Sequence, residues 1–220
     1  MEEKDQNFDS KAKQQRPDII AQTSWIRDLL KDNLNPIKPG ALVLVLACGS
    51  GVELPHIRNF AGEKAIIHAF DILPPDQTER NCFLGPKIKY HRIDIRNLNQ
   101  VLNAAGRTDG QLPDLIICRS PKIIEIIGPG KVVRQDWWID VLTQYAQIVV
   151  NNGGQMLITT YTEEEQILLA KAMEKIGLEP ITGQNELCPN RFRREYIGED
   201  GTTRIAGIDR YTIVVRPILI

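Results

Sequence analysis

The chain has 220 residues, 42% of them hydrophobic and 25% charged, enough for one well-buried domain and short for two. Its net charge of −1 and pI of about 6.3 exclude a global basic field for nucleic acid. No apolar run approaches the roughly 20 residues that a helical membrane span needs. The four cysteines (Cys48, Cys82, Cys118 and Cys188) are scattered without metal-ligand spacing, so no metal site is expected. The polar N-terminus resembles neither a signal nor a transit peptide, and the expectation is a cytoplasmic chain with reduced thiols.

In chain order, residues 1–16 read as a disordered tail. Pro17 and Asp18 suit the first turn of a helix with Ile19, Ile20, Ile26, Leu29 and Leu30 on one face, and "NPIKPG" (35–40) stops it. Residues 17–40 thus form an N-terminal helix and linker, followed by a core over 41–217 in one domain. "ALVLVLA" (41–47) is a continuous apolar run, the pattern of a strand covered on both faces. A helix over 52–61, a strand over 65–72, a polar stretch with a short helix, a strand over 87–95 and a short helix over 98–106 follow. A strand is predicted over 113–120, and a long helix over 134–154 with Trp138, Leu142, Tyr145 and Val149 at three- and four-residue steps. "QMLITTY" (155–161) is a strand, and Thr162 with Glu165 makes a capping box for a helix ending at Ile176–Gly177. The arginine-rich run 190–196 reads as a solvated face or a strand edge. A hairpin around "GEDGT" (198–202) and a last strand over 210–217 complete the chain. This alternation predicts an α/β fold: a doubly wound, mostly parallel, seven-stranded sheet with helices on both faces and an antiparallel C-terminal strand.

In such sheets ligands bind beyond the carboxyl ends of the strands. Gly49 and Gly51 lie in the turn after the first core strand, where a missing Cβ lets backbone N–H groups approach a ligand. Asp71 ends the next strand, twenty residues past Gly51, placed to accept hydrogen bonds from ribose hydroxyls. The third glycine that a pyrophosphate wants is Leu54, which disfavours a dinucleotide, and Glu53 at the helix start opposes phosphates.

These residues resemble the class I S-adenosylmethionine-dependent methyltransferases over about residues 41 to 217. "VLVLACGSG" (43–51) is similar to the first family motif, "HAFDI" (68–72) to the second, "HRIDIRNL" (91–98) to the third, "PDLIICRSP" (113–121) to the fourth, and "GGQMLITTY" (153–161) to the following strand. The resemblance implies a Rossmann-like methyltransferase fold, S-adenosylmethionine as cofactor, and a loop of Ala47, Cys48, Gly49, Ser50 and Gly51 around it. It also implies that Asp71, with Ile72 after it, holds the ribose, that Asp94 bonds the adenine amino group, and that Ile95 covers the ring. Arg119 and Ser120 would face the methionine end of the donor or the acceptor, with a salt bridge at the sheet rim an equal alternative for Arg119. Two departures stand out: Val45 replaces the usual acidic residue and Ala47 the first glycine, the latter harmless at negative φ.

Methyl transfer from a sulfonium needs alignment and dryness rather than a nucleophilic side chain, consistent with the lack of a triad. His56 and His91 are candidate bases by type only, and His68, inside a strand, reads as a core histidine. Cys118 reads as buried packing; one of Trp137 and Trp138 reads as core, the other as a wall for an acceptor, and the helix with Trp25 as a cap over the site. The expected acceptor is a small molecule, with RNA or protein as further options and no membrane partner. Two other readings stay open: a nicotinamide-dependent oxidoreductase, and a methyltransferase-like binding module without turnover.

Overall fold

A computed structural model describes residues 23–49, 51–72, 88–106, 111–128, 131–186, 193–197 and 201–217. The tail, the first part of the N-terminal helix, the stretch 73–87, Ser50, Cys82 and Cys188 lie outside the described residues. The chain forms two compact units, Met1–Ala105 and Gly106–Ile220.

The first unit runs α1 (Trp25–Asn33), β1 (Leu42–Leu46), α2 (Leu54–Ala61), β2 (Ile66–Asp71), β3 (Ile88–Arg92) and α3 (Leu98–Ala104). Ile26, Leu29 and Leu30 are the buried stripe of α1, as their spacing predicts, and α1 packs on α2. All five residues of β1 are buried, because Leu-Val-Leu-Val-Leu has no polar side chain to turn toward water. β1 pairs in parallel with β2 from Leu42 opposite Ile66 to Leu46 opposite Phe70, and β2 pairs in parallel with β3. Asn97 caps α3 by accepting the Gln100 N–H.

The second unit runs β4 (Leu115–Arg119), β5 (Ile124–Gly128), β6 (Lys131–Arg134), α4 (Trp137–Asn151), β7 (Gln155–Thr160), α5 (Glu163–Lys175), β8 (Ile181–Gln184), β9 (Arg193–Ile197), β10 (Thr203–Gly207) and β11 (Tyr211–Val215). β4 and β7 are parallel, whereas β11 runs antiparallel to both β7 and β8. Every residue of β7 and of β11 is buried. α4 covers β4 and β7, and α5 packs on β7 and β11. The capping box at α5 is complete: Thr162 Oγ1 accepts the Glu165 N–H, and Glu165 accepts the Thr162 N–H. Strands β5–β6 and β9–β10 form two separate antiparallel hairpins.

The hydrogen-bonded strand order is β3-β2-β1-β4-β7-β11-β8, seven strands with a single antiparallel member. This is the doubly wound, mostly parallel seven-stranded sheet with an antiparallel C-terminal strand that the sequence predicts. Two features escaped the prediction: the β5–β6 hairpin, and β8, whose residues are mostly exposed.

Candidate functional site

The first unit gathers most of the predicted cofactor residues at the carboxyl ends of its strands. Beyond β1 the Cys48 N–H donates to the Phe70 carbonyl (3.1 Å), extending the β1–β2 pairing to the last turn before the loop. The backbone then folds back on itself: the Gly51 N–H donates to the Cys48 carbonyl (2.8 Å) and the Leu54 N–H to the Gly51 carbonyl (3.0 Å). Three residues here take positive φ: Ala47 (52°), Gly49 (50°) and Gly51 (74°). The condition under which Ala47 would be harmless, a negative φ, is not met: the turn demands the left-handed region, which an alanine enters only with strain.

Asp71 closes this loop from the neighbouring strand. Its Oδ2 accepts the Gly49 N–H at 2.7 Å, and the residue is only 7% exposed. A buried carboxylate at the end of β2 thus holds the glycine turn against the strand. A Cβ placed on Gly49 would meet nothing within 4 Å, so the turn presents open backbone. At Gly51, a Cβ would lie 2.9 Å from Leu54 Cδ1: the side chain of Leu54 fills the space where a pyrophosphate-binding helix needs its third glycine. Glu53 is buried just ahead of α2, and its carbonyl accepts the Ile57 N–H.

The neighbouring predicted residues have distinct surroundings. Ile72 is 55% exposed, and its carbonyl accepts from Arg92 Nε at 3.3 Å. Asp94 lies two residues past β3 and is gripped by Arg96, whose Nε reaches Oδ2 at 2.8 Å and Oδ1 at 3.0 Å, while the Arg96 N–H also donates to Oδ1 (2.9 Å). That hydrogen-bonded guanidinium holds the Asp94 carboxyl below the usual carboxylate range. Ile95 is buried. Ser50 lies outside the described residues.

The histidines are engaged inside the first unit. His56 is buried with its Nε2 2.8 Å from Thr23 Oγ1. His68 Nδ1 and His91 Nε2 are 2.8 Å apart in nearly parallel rings, with Phe70 stacked on His91. Burial, then the charge of His91, pushes His68 down to about 4, and burial lowers His91 as well.

In the second unit, Arg119 ends β4 and donates through Nε to Asp209 Oδ2 at 2.9 Å, with Nη2 on the same oxygen. Asp209 Oδ1 accepts from the hydroxyls of Ser120 (3.0 Å) and Thr159, and the Asp209 N–H donates back to Ser120 Oγ (3.1 Å). Asp209 is fully buried, and both Ser120 (49°) and Asp209 (51°) have positive φ. Arg119 is thus half of a buried ion pair. Nearby in the chain, Trp137 and Trp138 stack on each other with centroids 4.4 Å apart, and Cys118 is buried in β4.

Sequence reasoning missed Asp209, which carries no motif, and the role of Thr159, which lies in "GGQMLITTY" but bonds Asp209 fifty positions later. It read Glu165 only as a cap. The structure adds that Glu165 Oε1 accepts the Ile124 N–H (2.8 Å) and Oε2 the Tyr161 N–H (2.8 Å), so one buried carboxylate ties α5 to both β7 and β5. Burial pushes its pKa up to about 7 despite these bonds. Among the described residues, no group of three or more His, Cys, Asp or Glu side chains is arranged to hold a metal ion. No described helix is long and apolar enough to cross a membrane.

No protein-family model matches this sequence, and no curated protein matches it. Solved structures do match in fold. Fibrillarin in its complex with Nop5p is 15% identical, with a TM-score of 0.55 over 87% of this chain and 79% of that one. A putative rRNA methylase from Clostridium thermocellum is 15% identical, with a TM-score of 0.52 over 87% and 95%. Aeropyrum pernix fibrillarin, solved with natively bound S-adenosylmethionine, is 16% identical, with a TM-score of 0.50 over 86% and 72%. The chain has the class I S-adenosylmethionine methyltransferase fold.

Proposed function

We propose that the protein binds S-adenosylmethionine in the loop after β1 and transfers its methyl group to a small-molecule acceptor. The observation that carries this reading is the buried Asp71 carboxylate, 2.7 Å from the Gly49 N–H at the end of β2. It fixes an open glycine turn beside an acidic side chain, the pairing a ribose-bearing ligand needs.

When bound, S-adenosylmethionine supplies an electrophilic methyl on a sulfonium, so displacement asks the protein for position rather than acid–base work. Asp71 would accept from the ribose hydroxyls while keeping Gly49 in place. Asp94, pinned by Arg96, and the buried Ile95 would meet the adenine end, and Ala47, Cys48, Ser50 and Ile72 would frame the remainder. Glu53 ahead of α2 suits a cationic donor better than a phosphate. Arg119 has its guanidinium on Asp209, so in this reading it serves the donor only by steadying the end of β4.

The nicotinamide reading is disfavoured by Leu54, whose buried side chain fills the third-glycine position. The non-catalytic reading draws on Val45, buried in β1 where the family's loop usually has a carboxylate. The reading takes residues 17–220 as one functional domain, and the balanced charge favours a small acceptor over RNA or protein.

Calorimetric titration with S-adenosylmethionine, S-adenosylhomocysteine and NAD tests the cofactor. Binding of the first two and not NAD is expected, and Asp71→Ala should weaken it about tenfold to a hundredfold, the value of one or two hydrogen bonds to a charged group. A folded chain that binds none of them overturns the proposal. Labelled methyl transfer into a small-molecule extract, with RNA as the parallel substrate, then tests the acceptor class.

A further inference from the structure

The turn after β3 holds one carboxylate more firmly than its backbone requires. Main-chain groups already close this turn: the Asn97 N–H donates to the Asp94 carbonyl (2.9 Å), and the Arg96 N–H donates to Asp94 Oδ1 (2.9 Å). The Arg96 guanidinium adds a fork to it. Its Nε–H is shared between Oδ2 (2.8 Å) and Oδ1 (3.0 Å), and its Nη2 also donates to Oδ2. The Arg96 side chain is 58% exposed, and an exposed ion pair of this kind contributes little to stability. Its effect falls on the carboxylate instead.

A carboxylate offers about four acceptor positions. Among the described residues, three N–H groups of Arg96 bond to Asp94, which leaves about one position vacant. The Asp94 side chain is 34% exposed, so a ligand can reach it from solvent. The same guanidinium keeps the group ionised, so it accepts hydrogen bonds and cannot donate one. The elements on either side bring no competing charge: α3 has no charged side chain, and Arg92 at the end of β3 directs its Nε to the Ile72 carbonyl. A single vacant acceptor that cannot donate suits an amino group and opposes a carbonyl oxygen.

We propose that Arg96 is a positioning residue for the base of the methyl donor: its fork leaves the Asp94 carboxylate one acceptor position, which takes a 6-amino purine and rejects a 6-oxo purine. This rests on the methyl-transfer reading and adds to it the residue that sets selectivity for the base.

The test is calorimetric titration of the full chain with S-adenosylhomocysteine and with S-inosylhomocysteine, its 6-oxo counterpart, from about pH 7 down to about pH 4. The wild-type chain should prefer the amino compound by about tenfold to a hundredfold, the range of a hydrogen bond to a charged group. Arg96→Met keeps the main-chain closure of the turn and removes only the fork. Its preference should narrow by about tenfold. Its acid limb should also move up toward the usual carboxylate range, because affinity that depends on ionised Asp94 is lost as pH falls through its pKa. Asp94→Asn, whose amide can either donate or accept, should bind the two compounds alike. An Arg96→Met chain in which either the preference or the acid limb stays as in the wild type overturns the proposal. Equal loss of affinity for both compounds would mark a merely structural role and overturn it too, as would a wild-type chain without preference. A wild-type chain that binds neither compound fails the methyl-transfer reading and this assignment with it. One that binds S-adenosylhomocysteine but fails the other readouts fails this assignment alone.

Discussion

Ala47 occupies φ = 52° at the head of the loop, a region that alanine enters at a cost and glycine enters freely. Ala47→Gly should therefore leave the loop geometry intact and stabilise the chain by at most about 1 kcal/mol, because greater freedom in the unfolded chain offsets part of the relief. A rise in the urea midpoint with unchanged slope is the expected result, and a fall would mean that the alanine methyl has a packing role. Gly51→Ala makes the contrasting case, combining φ = 74° with a Cβ 2.9 Å from Leu54 Cδ1. Residues tied to a local spacing were legible in the sequence: Asp71 follows from its distance past Gly51 and from ending an apolar run. Asp209 was not, since its meaning comes from Arg119 and Ser120, about ninety positions earlier, and no local pattern encodes such a meeting.

Strands and helices were legible where one rule decided them. The continuous apolar run of β1 could only be buried, and the Thr162–Glu165 pair gave the start of α5 to the residue. β8 obeyed no such rule. Its residues Ile-Thr-Gly-Gln are short and mostly exposed, and the strand exists because β11 pairs with it and α5 reaches it. Gln166 on α5 donates through Nε2 to the carbonyls of both Gly183 and Thr212 at 2.8 Å, joining β8, β11 and the helix at one point. Gln166→Leu should leave those carbonyls without this donor at a cost of about 1–3 kcal/mol, felt first at β8. Hydrogen exchange should show β8 amides losing protection before those of β7; uniform loss across the sheet would deny Gln166 this local role. The β5–β6 hairpin had a readable signal, β-branched residues on both sides of Gly-Pro-Gly, but its anchor, the Ile124 N–H on Glu165, depends on the fold.

Across the whole molecule, two buried groups oppose each other in pH. His68, in the first unit, is pushed down to about 4 by burial and by His91. Between that value and its unfolded pKa near 6.5 the native state binds fewer protons than the unfolded chain, so stability falls as pH drops through this window. Glu165, in the second unit, is pushed up to about 7 by burial. Its contribution is fully present below pH 4.5 and is lost as pH rises through about 7, the reverse slope. Each is worth about 3 kcal/mol across its range, from shifts of that size at 1.36 kcal/mol per pH unit, so the two nearly cancel between pH 4.5 and 6.5. The wild-type urea midpoint should therefore change little over that interval on account of these groups, and single substitutions should expose each slope. In His68→Gln the midpoint should climb as pH is lowered relative to the wild type, because Glu165 is then opposed by His91 alone. In Glu165→Gln it should fall more steeply than in the wild type. Overall losses of stability in either variant do not affect the test, which reads slope rather than level. Parallel slopes in all three proteins would show that neither burial is strong enough to govern the acid response, and would shift it to the surface carboxylates.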